Sequence, residues 1–120
     1  MINLTLAREK FSLLAELEGS ESEKWKPLVM SCVQDLESRL LLNADVSGHA
    51  SLLADAAAAD AFYRYCVIEA GRGADTQTVG SVTVKKDAKG QISAASLLRS
   101  DAFTRIRHLI RDEKFIFVSV

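Results

Sequence analysis

Between residues 54 and 61 six of eight positions are alanine: Ala54, Ala56, Ala57, Ala58, Ala59 and Ala61. Alanine has the best helix propensity of any residue, and a helix apolar on more than one side is usually buried on more than one side. Small side chains also let neighbouring helices approach closely. A helix over residues 49–70 with such a centre is therefore expected to be surrounded by other helices. Phe62, Tyr63, Tyr65, Val67 and Ile68 add bulk toward its end, and Gly71 is the expected stop.

The rest of the chain supplies the partners. Ala7, Phe11, Leu14 and Leu17 recur at three- and four-residue spacing, which predicts a helix over 5–17. Ser20 and Glu23 have the spacing of a capping box, and Glu21 and Glu23 suit the positive end of a helix. Trp25, Leu28, Val29, Cys32, Val33, Leu36 and Leu40 then form a second stripe, so a helix is expected over 22–42. Pro27 should lie near the start of its regular part. Residues 43–48 read as a turn. Ile92, Ala95, Leu98, Ala102, Ile106, Leu109 and Ile110 predict a last helix over 91–112. Two segments alternate or concentrate β-prone residues, 79–86 and 115–120. The expected fold is mainly α, a single domain of about four bundled helices. A short β segment precedes the last helix, and a β-prone tail ends the chain.

With 120 residues, the chain is long enough to bury a core without disulfides or metals. Hydrophobic residues at 48% and charged residues at 26% argue against disorder. The first residues lack the uninterrupted apolar stretch of a secretory signal. No apolar run approaches the roughly 18–20 residues that span a bilayer. Synthesis in the cytoplasm and no membrane partner are the expectations.

Groups that carry chemistry are sparse. Cys32 and Cys66 lie in apolar helical stretches without zinc-like spacing, and read as small core hydrophobes. His49 and His108 have no spacing that links them to a nucleophile, and read as surface or core-edge residues. No H-x-x-x-H or C-x-x-C unit occurs. Gly71-Arg72-Gly73 has Thr76 where a dinucleotide loop needs its third glycine, and it follows a helix instead of a strand. Neither a cofactor nor a metal is expected. An enzyme is the least favoured class; it would need a site built from Asp60, Tyr63, Arg64 and Glu69.

Charge is split along the chain. Residues 1–60 carry ten acidic and five basic side chains, and residues 61–120 carry six and ten. The basic side chains Lys86, Lys89, Arg107 and Arg111 mark a face that could meet DNA non-specifically or an acidic neighbour. Arg99 and Arg105 read as part of a solvated helix face. The β-prone segments suggest association. Val82, Val84 and Lys85 with Phe115, Phe117 and Val118 either pair with one another or add to a neighbouring subunit.

The order of these features resembles a known family. A Trp-bearing helix precedes the alanine-rich run Ala56-Ala57-Ala58-Ala59-Asp60-Ala61-Phe62-Tyr63-Arg64-Tyr65. A polar loop follows, then Val79-Gly80-Ser81-Val82-Thr83-Val84, a last helix and a β-like tail. This layout is similar to the head–tail connector (adaptor) proteins of tailed bacteriophages and prophages, from about Leu6 to the end. The resemblance implies a virion protein at the head–tail junction, made in the bacterial cytoplasm. Its subunits would form a ring of about twelve copies through a head-to-tail interface. The ring would sit beneath the portal protein, extend the DNA channel and meet a head-completion or tail protein. By position, segments 80–86 and 115–120 would reach neighbouring components. Many relatives have an acidic residue where this chain has Ser81, and Gly90 interrupts the start of the last helix. The alternative is a small non-enzymatic adaptor that binds one protein partner through a helical groove.

Overall fold

The structure is a computed structural model, and it describes residues 2–75 and 88–111. Among them are five α-helices: α1 (Leu4–Ala15), α2 (Ser20–Lys24), α3 (Lys26–Ser38), α4 (Ala50–Asp75) and α5 (Ala88–Arg105). Two single 3-10 turns, Ser47–His49 and Arg107–Leu109, precede α4 and follow α5. The fold is a helical bundle, as the hydrophobic spacing predicts.

The alanine-rich helix is its centre. α4 packs against α1, α3 and α5, while α1 also touches α3. Ala54, Ala56, Ala57, Ala58, Ala59 and Ala61 are all buried. Positions on more than one side of the same two turns are thus covered, which requires close approach by helices on several sides. Around this axis Phe11, Val29, Cys32, Leu36, Leu53 and Ile106 fill the core. Tyr65 of α4 ties the aromatics together, meeting Trp25 edge-on at 4.8 Å and Phe11 at 5.7 Å.

Local chemistry sets where α1 begins and ends. Asn3 caps it, its Oδ1 accepting from the Leu6 N–H at 3.0 Å. Glu16 closes it in the left-handed conformation, φ 56°. The Leu17 N–H donates to the Ser12 carbonyl and the Glu16 N–H to that of Leu13, which is the Schellman arrangement. Gly19, with φ 57° and ψ −128°, then takes a conformation that only glycine adopts freely.

Several boundaries differ from expectation. The helix expected over 22–42 is two helices. Pro27 has no N–H to donate, and its ring crowds the carbonyl four residues back, so the chain breaks at Trp25 (φ −96°, ψ 5°) and Pro27 sits in the first turn of α3. The capping box does not form. Gly19, not Ser20, is the N-cap of α2, and the Glu23 carboxylate pairs with Arg8 at 2.8 Å. Helix α3 stops at Ser38 instead of 42, and α5 stops at Arg105 instead of 112. The two freed segments pair instead: the Leu41 N–H donates to the Leu109 carbonyl and the Arg111 N–H to the Arg39 carbonyl, both at 2.9 Å. This Leu40–Ile110 bridge is the β pairing among the described residues. Gly71 does not end α4, which continues to Asp75; a glycine inside a helix costs only about 1 kcal/mol relative to alanine. Gly90 likewise lies within α5, which begins at Ala88 instead of 91. The β-prone segments 79–86 and 115–120 lie outside the described residues.

Before α4 the chain turns tightly. The Asp45 Oδ1 accepts from the Gly48 N–H at 3.0 Å, and a Cβ at residue 48 would meet that carboxylate, so Asp45 would have to shift to admit one. His49 follows, its Nδ1 2.9 Å from the Asp45 carbonyl oxygen.

Candidate functional site

Two places concentrate unusual side chains: a charged cluster beneath the surface of α4, and an apolar groove between α1, α4 and α5.

The charged cluster centres on Asp60, which is buried although it stands in the alanine-rich run. Arg64, one helical turn on, reaches it with Nε at 3.3 Å and Nη2 at 3.1 Å. Arg99 of α5 brings Nη1 to 3.6 Å from the other side and lays its guanidinium 4.1 Å from the centroid of the Tyr63 ring. Arg64 also stands 3.8 Å from Asp35 of α3. The cluster therefore links three helices through two carboxylates, Asp60 to α5 by way of Arg99 and Asp35 of α3 by way of Arg64. Arg99 is buried, which corrects its reading as part of a solvated face: the small neighbours Ala95 and Ala102 bring α5 against α4, and Arg99 is carried into contact with Asp60.

Cys32 lies beside this cluster. Burial, and then the negative charge of Asp60, push its thiol up to about 12. Burial also raises the Cys66 thiol. Neither is a thiolate near neutral pH, so neither is poised as a nucleophile. Of the four residues an enzyme would need, the structure brings Asp60, Tyr63 and Arg64 together, but as a packed ionic joint. Among the described residues no group of three or more His, Cys, Asp or Glu side chains is placed to hold a metal ion. The two histidines meet ring to ring, centroids 5.3 Å apart, where the turn before α4 touches the turn after α5.

The groove has a different character. Ala58, Ala59 and Ala102 form its floor, Leu13, Leu14 and Leu98 its walls, and it encloses about 390 Å³. Its edges are two ion pairs, Lys10 with Asp55 at 2.8 Å and Arg105 with Asp101 at 3.1 Å. Leu14 and Leu98 belong to the stripes expected to be buried, yet both are exposed. The alanines between them are too short to fill the space that separates α1 from α5. Leu13, 79% exposed, stands at the lip. Leu97 on α5 is 73% exposed and Leu42 completely so.

The residues expected to form an interface divide as follows. Lys89 is exposed in the first turn of α5, while Arg107 and Arg111 are exposed beyond its other end. The sixteen residue steps from Lys89 to Arg105 rise about 24 Å in a helix, so Lys89 does not share a patch with the two arginines. Arg111 is tied back, its Nη2 donating to the Ser38 carbonyl at 2.7 Å. Val82, Val84, Lys85, Lys86, Phe115, Phe117 and Val118 lie outside the described residues. Sequence reasoning missed the groove, because the apolar spacing of Leu14 and Leu98 is the same for a covered stripe and an open one. It also missed the Asp60–Arg99 contact, for which only the Asp60/Arg64 spacing gave a signal.

Among the described residues no helix is long and apolar enough to cross a membrane. Compared with protein-family models, with curated proteins and with solved structures, the chain matches none.

Proposed function

We propose that this protein is a structural assembly subunit of the head–tail connector type, which joins copies of itself into a ring beneath a phage or prophage portal and acts without catalysis. The observation that carries the reading is the exposed leucine surface. Leu13, Leu42 and Leu97 lie open to solvent on a bundle whose core is otherwise well filled. Leu13 stands at the lip of the α1–α4–α5 groove, while Leu42 and Leu97 lie away from it; large apolar side chains exposed together mark surfaces that other proteins cover. Asp35, Asp60, Arg64 and Arg99 are paired with one another within the bundle, where they hold α3, α4 and α5 in register.

The split of charge supports the same reading, since a head-to-tail interface gains from opposite charge on its two sides. DNA passing through a channel requires no base-reading groups, and exposed Lys89, Arg107 and Arg111 suffice for loose phosphate contact. The direct test mixes the chain with a portal protein and images the product in negative stain. Rings of about twelve subunits on the portal are the expected result. No binding to any portal, and no rings, would sink it.

A second reading is favoured by the groove itself. An adaptor that receives one amphipathic helix would use Leu13, Leu14 and Leu98 as the apolar contacts. A discrete complex of one chain with one host protein would support that reading over the ring.

A further inference from the structure

We propose that the two histidines form a site for a divalent cation that favours imidazole, zinc above all, and that the bound ion clasps the turn before α4 to the turn after α5. His49 and His108 are the only histidines of the sequence and lie far apart in it, yet their rings stand 5.3 Å apart between centroids, with their planes at 73°. His49 is half-buried at the end of the turn Ser47–His49, and His108 is exposed within the turn Arg107–Leu109. An ion in solution therefore reaches the pair.

One ring is already set for a metal. The Asp45 carbonyl oxygen only accepts, so the His49 Nδ1 at 2.9 Å carries the proton and donates it. The neutral ring then keeps its lone pair on Nε2, the nitrogen left for an ion. Metal-binding histidines are held in this way, with the second nitrogen donating to a backbone carbonyl or a carboxylate. Ring spacing agrees. Two imidazoles that each give one nitrogen to a tetrahedral ion at about 2.0–2.1 Å have centroids about 5 Å apart. His108 is exposed, so it can turn about its side-chain bonds to aim a nitrogen at the same ion.

The donor set selects the metal. Imidazole suits zinc, nickel and copper, whereas magnesium and calcium take oxygen ligands. Water completes the shell around two protein nitrogens. Charge nearby is mixed. Asp45, exposed in the turn that carries His49, favours a cation, and Arg107 beside His108 opposes one. Arg105 is paired with Asp101 at 3.1 Å, and Arg111 donates to the Ser38 carbonyl at 2.7 Å. The two turns arrive already in contact, so little ordering is needed when the ion binds. Residues 39–41 and 109–111 meet at the same junction through the Leu40–Ile110 bridge. A shared ion fastens that junction a second time and stabilises the folded chain, whether or not the chain assembles.

The test titrates zinc chloride into the untagged full chain by calorimetry, with magnesium chloride as control, and repeats it with His49→Gln and His108→Gln. Circular dichroism confirms that each variant folds. One zinc ion per chain is expected, and no heat from magnesium. Each variant should bind zinc more than about tenfold more weakly, since even an outer-shell partner is worth that much. Zinc at about one hundred times its dissociation constant should raise the wild-type melting temperature by roughly 10 °C, and that of each variant by no more than about half as much. Should His49→Gln fail to fold, the ring-proton resonances of the wild type decide: both histidines shift with zinc if they share the ion. No binding at about 1 mM zinc, binding that survives either substitution, a shift of one histidine alone, or two chains per ion would each overturn the site.

Discussion

Replacing Asp60 by alanine isolates the ionic joint between α3, α4 and α5. Asp60 contacts two guanidiniums of different exposure. Arg64 is 40% exposed, so water takes over most of what it loses. Arg99 is only 11% exposed, and its charge remains in the interior once the carboxylate has gone. Removing one partner of a buried pair costs about 3–5 kcal/mol, chiefly through the charge left behind. The Tyr63 ring 4.1 Å away still faces that charge, and such a contact is worth about 0.5–2 kcal/mol, so the lower end of the range applies. The expected loss is about 3 kcal/mol. With an unfolding entropy of about 2.1 cal/mol/K per residue, this chain should melt roughly 12 °C lower. Urea denaturation followed by circular dichroism measures the change directly, through a lower midpoint at constant slope. The double variant Asp60→Ala/Arg99→Met removes the buried guanidinium together with the carboxylate and keeps an apolar stem against Tyr63, so it should recover much of the loss. A single variant that loses less than about 1 kcal/mol, or a double variant no more stable than the single, would refute the reasoning.

Other outcomes follow from the packing. Leu36→Ala and Ile106→Ala each empty a fully buried site and should cost about 2–5 kcal/mol in urea denaturation; a change near zero would contradict their place in the core. The Cys32 thiol is raised from 9.0 to about 12, so it contributes its full stability below pH 9 and loses it as pH rises to 12. Over that window stability should fall about 1.4 kcal/mol per pH unit more steeply in the wild type than in Cys32→Ala. The comparison separates the thiol from Tyr65, whose hydroxyl is also raised by burial. Equal slopes would show that Cys32 is not buried as described. Glu16→Gly relieves a left-handed backbone at the end of α1 and should raise stability by about 1 kcal/mol; a fall in melting temperature would argue against that closure.

Much of the bundle is legible in the sequence because hydrophobic spacing records which side of a helix is covered. The alanine run announces a helix enclosed on several sides, and α4 is that helix. Phe11, Val29, Cys32, Val33, Leu36, Ala95, Ala102 and Ile106 lie in the core on the faces that their spacing predicts. Boundaries are less legible, since they depend on competition between local and distant hydrogen bonds. Nothing near Ser38 or Arg105 forbids further helix, and the chain leaves it because residues 39–41 and 109–111 meet. Gly71 illustrates the converse, a stop signal too weak to act alone. Arg99 and Leu98 are adjacent in sequence yet exchange the places that polarity assigns them. The arginine is drawn inward by Asp60 across the helix interface, and the leucine is left at a groove that the short alanines cannot close. Both results depend on how α5 sits against α4, which no local pattern encodes.

The measurement that bears most directly on the account is molar mass by light scattering across a concentration series of the full chain. Assembly through exposed leucines predicts a mass that climbs from the 13.1 kDa of one chain and levels off at a fixed multiple, with closed rings in the fractions of highest mass. A mass that stays at 13.1 kDa at every concentration, with no complex on mixing with a portal protein, would contradict it.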